Sequence, residues 1–314
     1  MDVAAIGNPP AQMWIDRDDA PACIERWLQD GVVSDEEAAR LRQFREDGFI
    51  ILPGLFDAET VAAVCDELQR LYLEPDKYLL RMRKGNIRHP DGPFNPPKSR
   101  LLDYYVNSER ARDMVLAEPI TRFLQLLYRE PPLAFQSLLF TWGTEHSIHA
   151  DNTYIVCDPP CTLMASWIAL EDIEPGTGEL AYYPGSHRHP LYLFKDGRIE
   201  WRHQEDGKPV HVDYTRFLQE RADRIDGPPR LFHARAGDVI IWHANLVHYG
   251  TAVTRPEHTR RSLLAHYCPA DTARPNYFRF FDRACRRPWR DGYYSSRRYD
   301  LRPGIENPYP VYLK

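Results

Sequence analysis

No apolar run in the 314-residue chain approaches the roughly 20 residues that a membrane-spanning helix needs. The first residues, MDVAAIGNPPAQMWIDRDD, also lack the basic region and apolar stretch of a secretory signal. Nor is there a large excess of charge, because 40 basic and 45 acidic residues give a net charge of −5. That balance offers no electrostatic reason to expect a nucleic-acid partner. We therefore expect a cytoplasmic protein that binds neither membranes nor nucleic acid.

Cysteine is scarce as well. Six cysteines in so long a chain do not suggest a disulfide framework. The closest pair, Cys157 and Cys161, has no second pair at the spacing of a zinc finger. We interpret all six as free thiols.

Composition divides the chain into three segments. Residues 1–43 are a predicted helical extension, 44–270 a main domain, and 271–314 a C-terminal extension, rich in Arg and Tyr, that packs on the same domain. Within the main domain, 195–230 is a long polar insertion that we interpret as a lid.

Capping patterns and periodicity predict three helices in the first part of the chain. A capping box at Ser34 opens a helix that Gly48 ends, and Asp57 is the predicted N-cap of the next. A third helix covers about 108–129 and stops before a Pro-Pro pair. Between the last two, the basic, Pro- and Gly-rich stretch 81–100 is interpreted as a mobile loop.

From residue 133 the chain consists of short apolar or alternating runs separated by Gly, Pro and Asp turns. The runs are LAFQSLLFTW, TLMASWIALEDI, ELAYY, RLFHA, GDVIIWH and RSLLAHY. Strands at this spacing favour a β-sandwich or barrel over βαβ units.

The histidines suggest a metal site. Two imidazoles and one carboxylate on one face hold non-haem iron(II) and leave three positions for a cosubstrate and oxygen. On a strand, His-x-Asp supplies two of these ligands, because residues i and i+2 point to the same side. Four His-x-acid matches occur, namely His89-x-Asp91, His149-x-Asp151, His203-x-Glu205 and His211-x-Asp213. Context favours His149 and Asp151, at the start of the strand-rich region, and leaves His211-x-Asp213 as the rival.

The third ligand is expected from a distant strand that returns beside the first. The passage GDVIIWHANLVHYG (237–250) offers His243 and His248.

A carboxylate on the cosubstrate is expected to bind a cationic side chain. Arg is preferred because its planar guanidinium pairs with a carboxylate through two hydrogen bonds. Arg260 and Ser262 alternate on one face of the apparent strand 260–267, whereas Arg261 points the other way. Both side chains on that face can reach one carboxylate.

The order His149-x-Asp151, His248, Arg260-x-Ser262 resembles the phytanoyl-CoA dioxygenase family, which includes ectoine hydroxylases. Three further passages look like that family: GFIILPGLFDAETVAAV (48–64), WIALEDIEPGTGELAYYPGSH (167–187) and GDVIIWHANLVHYG. The resemblance covers about 44–268. It implies a mainly β fold with flanking helices around a double-stranded β-helix (jelly-roll, cupin-like) core. It also implies Fe(II) as metal, with 2-oxoglutarate and O2 as cosubstrates.

The resemblance assigns roles to particular residues. The implied iron ligands are His149, Asp151 and His248, and the implied 2-oxoglutarate anchor is Arg260 with Ser262 as its partner. Trp167, on a predicted core strand, either lines the cosubstrate pocket or packs in the core.

Other side chains are left with open roles. His146 is expected to lie off the ligand face. His187 either faces the cavity or closes a turn. The arginines of 271–314 either cover the barrel or meet an anionic substrate.

The implied activity is hydroxylation, or another oxidation, of a small-molecule metabolite or natural-product intermediate, with 2-oxoglutarate decarboxylated to succinate and CO2. In related halogenases a small residue replaces the ligand carboxylate, so Asp151 favours hydroxylation over halogenation. The substrate is expected to be anionic or aromatic, and nothing indicates a thioester or an oligomeric state. The alternatives are a cupin-like metal-binding or sensing protein without turnover, and a zinc-dependent hydrolase.

Overall fold

Helices lie mainly in the first 130 residues and strands mainly in the rest. The computed structural model describes residues 5–7, 13–73, 80–81, 87–88, 100–106, 108–225, 227–275 and 286–295. Within these ranges the helices are α1 (Ala20–Gln29), α2 (Asp35–Asp47), α3 (Ala58–Leu73), α4 (Glu109–Val115), α5 (Glu118–Tyr128) and α6 (His203–Ala222). The strands are β1 (Ala5–Gly7), β2 (Phe49–Leu52), β3 (Leu80–Arg81), β4 (Ile87–Arg88), β5 (Leu101–Leu102), β6 (Pro132–Phe140), β7 (Cys157–Asp158), β8 (Met164–Ala169), β9 (Leu180–Tyr182), β10 (Leu191–Leu193), β11 (Arg230–Phe232), β12 (Val239–His243), β13 (His248–Gly250), β14 (Ser262–Pro269), β15 (Arg274–Pro275), β16 (Arg286–Trp289) and β17 (Gly292–Ser295).

Two sheets form the centre of the protein. The larger has the strand order β2-β12-β8-β14-β6-β5-β3-β4, and the smaller has the order β11-β9-β13. One apolar cluster contains side chains of both, including Trp167 and Trp242 from the larger sheet and Leu180 and Phe232 from the smaller. Strands that are neighbours in the larger sheet can be far apart in the sequence. For example, β2 pairs with β12. The predicted mainly β fold with a jelly-roll core is confirmed.

Strand β8 shows why the central runs are apolar throughout. Met164 and Ile168 belong to the cluster that the helices cover, whereas Trp167 belongs to the cluster between the sheets. Every residue of the strand is buried. A strand covered on both faces has no exposed positions for polar side chains, so its pattern is continuous rather than alternating.

The predicted starts and ends of the early helices hold, with one exception. Ser34 and Glu37 form the capping box of α2, and Gly48 ends that helix with φ of 78°. Asp57 accepts a hydrogen bond from the backbone N–H of Thr60 at the start of α3. The single helix predicted over 108–129 is wrong.

Two helices, α4 and α5, lie there instead. Ala117, with φ of −61° and ψ of 144°, is extended and separates them. Pro119 follows in the first turn of α5, where its missing N–H costs no hydrogen bond. A proline at this point favours a new helix start over a continuous helix.

The polar insertion 195–230 contains α6, which the sequence analysis did not predict. Gly207, with φ of 74°, interrupts its first turns. Further along, Tyr214 and Leu218 join an apolar cluster with Tyr192 and Phe194. The insertion is therefore packed onto the strand region, and its role as a lid stays a prediction.

Several predictions fall partly outside the described residues. The loop at 81–100 and the His89-x-Asp91 motif lie mostly there, and the domain boundaries after residues 43 and 270 stay predictions. In the described part of the tail, Arg286 pairs with Asp271 and Arg290 with Asp113, so these two arginines cover the surface. No helix in the described ranges combines the length and apolarity needed to cross a bilayer.

Candidate active site

Three side chains that could bind a metal converge between the two sheets. Oδ1 of Asp151 lies 3.6 Å from Nε2 of His149 and 3.7 Å from Nε2 of His248. All three ligand atoms lie within 4.8 Å of one another, and all three residues are buried. These are the two imidazoles and the carboxylate that the sequence analysis selected.

The backbone brings the two histidines together. The N–H of His149 donates to the carbonyl of His248, and the N–H of His248 donates back, both at 2.9 Å. Residues paired in this way on antiparallel segments point their side chains to the same side. Asp151 was expected on the same strand as His149, but it opens a short 3-10 helix, Asp151–Thr153, after an extended Ala150.

Backbone carbonyls orient both imidazoles. Nδ1 of His149 donates to the carbonyl of Ser147 at 2.7 Å, and Nδ1 of His248 donates to that of Leu246 at 2.9 Å. With the proton on Nδ1, the lone pair of each Nε2 points into the site. This is the form of histidine that binds a metal ion, so the donor set fits the predicted iron.

The carboxylate is held ionised. Nε1 of Trp242 donates to Oδ2 of Asp151 at 2.9 Å, and Nε2 of His266 lies 3.8 Å from the same oxygen. Burial alone raises the pKa of Asp151, but the adjacent His248 and the contact with His149 outweigh it and hold that pKa below its ordinary range. Burial, together with His149, lowers the pKa of His248 to about 4. A neutral imidazole and an ionised carboxylate are the states that ligate metals.

A cavity of about 280 Å³ adjoins these ligands and reaches Arg260 and Trp167. Cζ of Arg260 lies 5.6 Å from the ring centre of Trp167 and 5.5 Å from that of Phe140. Arg260 is 5% exposed, and burial lowers its pKa to about 10, so its guanidinium remains charged at neutral pH. Its Nε has no hydrogen-bond partner among the described residues.

Ser262 is less directly placed. Its side chain is fully buried, and within the described ranges Oγ has no hydrogen-bond partner. It lies on β14, two residues before the cavity-lining Leu264, but it does not line the cavity itself.

Two further histidines line the cavity. His146 was expected off the ligand face and is not one of the three converging residues, yet its Nδ1 lies 3.3 Å from Nε2 of His149. His266 is bound through Nδ1 to Oε1 of Gln136 at 3.1 Å. Its position was missed in the sequence, although it alternates with Ser262 and Leu264 along β14.

The rival histidines lie elsewhere. Nδ1 of His243 accepts from the backbone N–H of Asn245, and its Nε2 lies 3.4 Å from Asp16. His187 is buried and bonds through Nε2 to the carbonyl of Arg45, so it supports α2 and does not line the cavity.

The His211-x-Asp213 motif is on helix α6 and not on a strand. Nε2 of His211 meets the hydroxyl of Tyr154 at 2.6 Å, and Tyr154 lines the cavity. The rival motif therefore lies behind the cavity wall and outside the group of converging ligands.

Comparison with known proteins gives a consistent result. The sequence model of the phytanoyl-CoA dioxygenase (PhyH) family matches residues 44–262. The ectoine dioxygenase of Stutzerimonas stutzeri (strain A1501) is 28% identical over 251 residues, which cover 75% of this chain and 78% of that protein.

Solved structures show the same fold. The epimerase SnoN, in complex with Fe3+, alpha ketoglutarate and nogalamycin RO, is 22% identical with a TM-score of 0.55, covering 88% of this chain and 100% of that one. EctD from S. alaskensis, with 2-oxoglutarate and 5-hydroxyectoine, is 18% identical with a TM-score of 0.56, covering 87% and 86%.

Proposed function

Because the chain belongs to the phytanoyl-CoA dioxygenase family, we propose that His149, Asp151 and His248 hold its iron and that it hydroxylates a small organic molecule. The family resemblance predicted from the sequence motifs is confirmed, and the protein is a 2-oxoglutarate-dependent dioxygenase. Its cofactors are Fe(II), 2-oxoglutarate and O2. One observation carries the residue assignment: a single cavity is lined both by the three converging residues and by the buried Arg260.

The iron fits the residues that face it. Nε2 of each ligand histidine and Oδ1 of Asp151 would supply three ligands on one side, which leaves the remaining positions for cosubstrate and oxygen. When bound, the iron supplies the oxidising chemistry, while 2-oxoglutarate is converted to succinate and CO2. Trp242 keeps the other oxygen of Asp151 occupied, so that Oδ1 is the one presented to the metal.

Arg260 is the proposed anchor of the distal carboxylate of 2-oxoglutarate. Among the described residues no carboxylate forms an ion pair with Arg260, and a buried, charged guanidinium binds an anion more strongly than an exposed one does. The aromatic rings of Phe140 and Trp167 flank the guanidinium. Ser262, on the same strand face, is proposed as a further donor.

The substrate is proposed to be a small anionic or aromatic molecule. The cavity is also lined by the rings of His146, Tyr154 and Tyr249 and by Arg100. The two neighbours of known structure hold nogalamycin RO and 5-hydroxyectoine, both small molecules. Asp151 keeps the ligand set complete, which favours hydroxylation over halogenation. The cupin-like sensor and the zinc hydrolase lose their support, since the family consists of dioxygenases.

The test is anaerobic. Apo-protein is loaded with Fe(II), 2-oxoglutarate is titrated, and the visible charge-transfer band of the chelate is recorded for wild type, Asp151→Ala and Arg260→Ala. The matched control is Arg261→Ala, because Arg261 is partly exposed and pairs with Glu171 instead.

Wild type and the Arg261 variant are expected to give the same band. Asp151→Ala is expected to give a weaker band at the same Fe(II) concentration, because one of the three proposed iron ligands is lost. Arg260→Ala is expected to need at least tenfold more 2-oxoglutarate for half-saturation, in line with the loss of charge-assisted hydrogen bonds worth about 1.5–3 kcal/mol. Iron binding without a band at saturating 2-oxoglutarate in wild type would contradict the proposal.

A further inference from the structure

Tyr214 is on helix α6 of the polar insertion. Its hydroxyl contacts the turn formed by residues 149–154, which carries two of the proposed iron ligands, His149 and Asp151. It accepts a hydrogen bond from the backbone N–H of Ala150 at 3.0 Å and another from the hydroxyl Oγ1 of Thr153 at 2.7 Å. Ala150 is the residue between His149 and Asp151. One hydroxyl from a distant helix therefore holds the peptide between two ligands.

The position of that hydroxyl is fixed by packing. Tyr214 is 2% exposed, and its ring lies 5.6 Å from that of Tyr192 and 5.5 Å from that of Phe194. Burial raises the pKa of Tyr214, so the group stays a neutral hydroxyl. The oxygen of a neutral hydroxyl has two lone pairs and can therefore accept both hydrogen bonds.

The insertion makes two more hydrogen bonds to the same turn. Nε2 of His211 meets the hydroxyl of Tyr154, and the N–H of Trp201 donates to the carbonyl of Thr153 at 2.9 Å. Tyr214 and His211 are three residues apart on α6, so both lie on one face of that helix.

The same turn is also hydrogen-bonded to residues that follow strand β12. The N–H of Asn152 donates to the carbonyl of Ala244 at 3.2 Å, and its side-chain amide donates to Oδ1 of Asn245 at 2.6 Å. The turn is thus held from both sides, and the insertion supplies one of them.

We propose that Tyr214 is a positioning residue of the iron site, through which the insertion sets the orientation of His149 and Asp151. The inference rests on the proposed function, because it assumes that these residues bind iron. It gives the insertion a role besides that of a lid: without the hydroxyl, the Ala150 N–H is left buried and unpaired, and the turn relaxes to satisfy it. Groups that orient metal ligands in this way typically change metal affinity 10- to 100-fold when removed.

The test compares Tyr214→Phe with Tyr192→Phe, which alters a neighbouring ring of the same cluster and leaves the hydroxyl at Ala150 in place. Fe(II) affinity is measured anaerobically by competition with a chromophoric chelator, and the visible spectrum of bound Co(II) reports the ligand geometry. Tyr214→Phe is expected to weaken Fe(II) binding about tenfold and to change the Co(II) spectrum. Tyr192→Phe is expected to match wild type in both.

Equal Fe(II) affinities and equal Co(II) spectra for the two folded variants would overturn the inference. Because only metal binding is measured, this result is distinct from a failure of the proposed function, which would show in wild type as a missing 2-oxoglutarate band.

A second measurement needs no variant and covers the case in which Tyr214→Phe does not fold. Amide hydrogen exchange at Ala150 is followed in the wild-type apo-protein. Slow exchange, comparable to that of the central strands, is expected because the N–H is buried and bonded. Exchange at the rate of an exposed loop amide would overturn the inference.

Discussion

The indole Nε1 of Trp242 donates a 2.9 Å hydrogen bond to Oδ2 of Asp151, while Oδ1 of the same carboxylate faces His149 and His248, the two proposed ligand histidines. Trp242 is on β12, and its side chain is 1% exposed. One oxygen of the Asp151 carboxylate therefore accepts a hydrogen bond, and the other is left to bind the metal. The donor that separates these roles is on β12, a strand that carries none of the proposed ligands. A buried indole that also serves as a donor explains why this strand has a tryptophan where an aliphatic residue would fill the core.

Replacing Trp242 by Phe should weaken iron binding. The ring is retained, but Oδ2 of Asp151 loses its donor, and the carboxylate becomes free to rotate. We expect Fe(II) affinity to fall about 10-fold or more, as for other groups that orient metal ligands. Chelator competition under anaerobic conditions measures it. Trp289→Phe is the control, because Trp289 bonds to Asp113 away from the cavity; an equal loss in both variants would contradict the prediction.

Ser262→Ala should have a smaller effect on 2-oxoglutarate binding than Arg260→Ala. The hydroxyl donates one hydrogen bond to the carboxylate and carries no charge itself, so we expect a loss of about 1.5 kcal/mol, which corresponds to roughly a 10-fold higher half-saturating concentration. Titration of the charge-transfer band distinguishes the two variants. An unchanged titration in Ser262→Ala would mean that the hydroxyl only packs in the strand.

Gly48→Ala should destabilise the protein more than Gly31→Ala. Both glycines have positive φ, 78° and 67°, and a side chain in that region costs about 1–2 kcal/mol. At Gly48 an added Cβ would also overlap the ring of His187, whereas at Gly31 nothing lies within 4 Å. We expect a loss of at least about 2 kcal/mol for Gly48→Ala. Urea unfolding measures the free energy, and equal losses would show that His187 moves aside without cost.

His187 should make the apo-protein less stable in acid. Burial, with a contribution from His243, lowers its pKa from 6.5 to about 3. Between these values the unfolded chain binds a proton that the folded chain does not, so stability falls as pH decreases through this window and is unaffected above it. One such group contributes up to about 1.4 kcal/mol per pH unit.

Urea unfolding of the apo-protein at pH 7.5 and 5.5 tests this difference. His187→Gln should reduce the acid loss of stability, while His258→Gln, at a partly exposed position, should leave it unchanged. The same pH dependence in His187→Gln and wild type would assign the effect to the other buried histidines.

The three converging residues, and Arg260 in the same cavity, could be selected from the sequence because each lies in a recognisable local pattern. His149-x-Asp151, His248 and Arg260 stand in short motifs with fixed spacing, and β8 and β12 show in continuous apolar runs. His266 could have been found in the same way, since alternation along β14 places it on the face of Ser262. These features depend on residues that are close together in the sequence. Such local patterns can be recognised in a single sequence without knowledge of the fold.

Other features depend on contacts that no local pattern records. Tyr214 meets Ala150 across 64 residues, through a helix whose early turns contain Gly207 and Pro209 and so look like a loop. The break between α4 and α5 was also missed, although Pro119 marks it. The 3-10 helix that begins at Asp151 was missed for the same reason. The backbone leaves the extended conformation directly after His149 pairs with His248, and no local pattern shows that pairing.

The reciprocal backbone hydrogen bonds between His149 and His248 fix the spacing of the two imidazoles through the main chain. A site spaced in this way suits any divalent ion that binds two nitrogens and one carboxylate oxygen. First-row affinities for such donors rise from Fe(II) towards Cu(II), with Zn(II) also above iron. The identity of the bound metal is therefore expected to depend on which divalent ions are available while the protein folds. Purified samples are expected to carry a mixture of metals that reflects the growth medium.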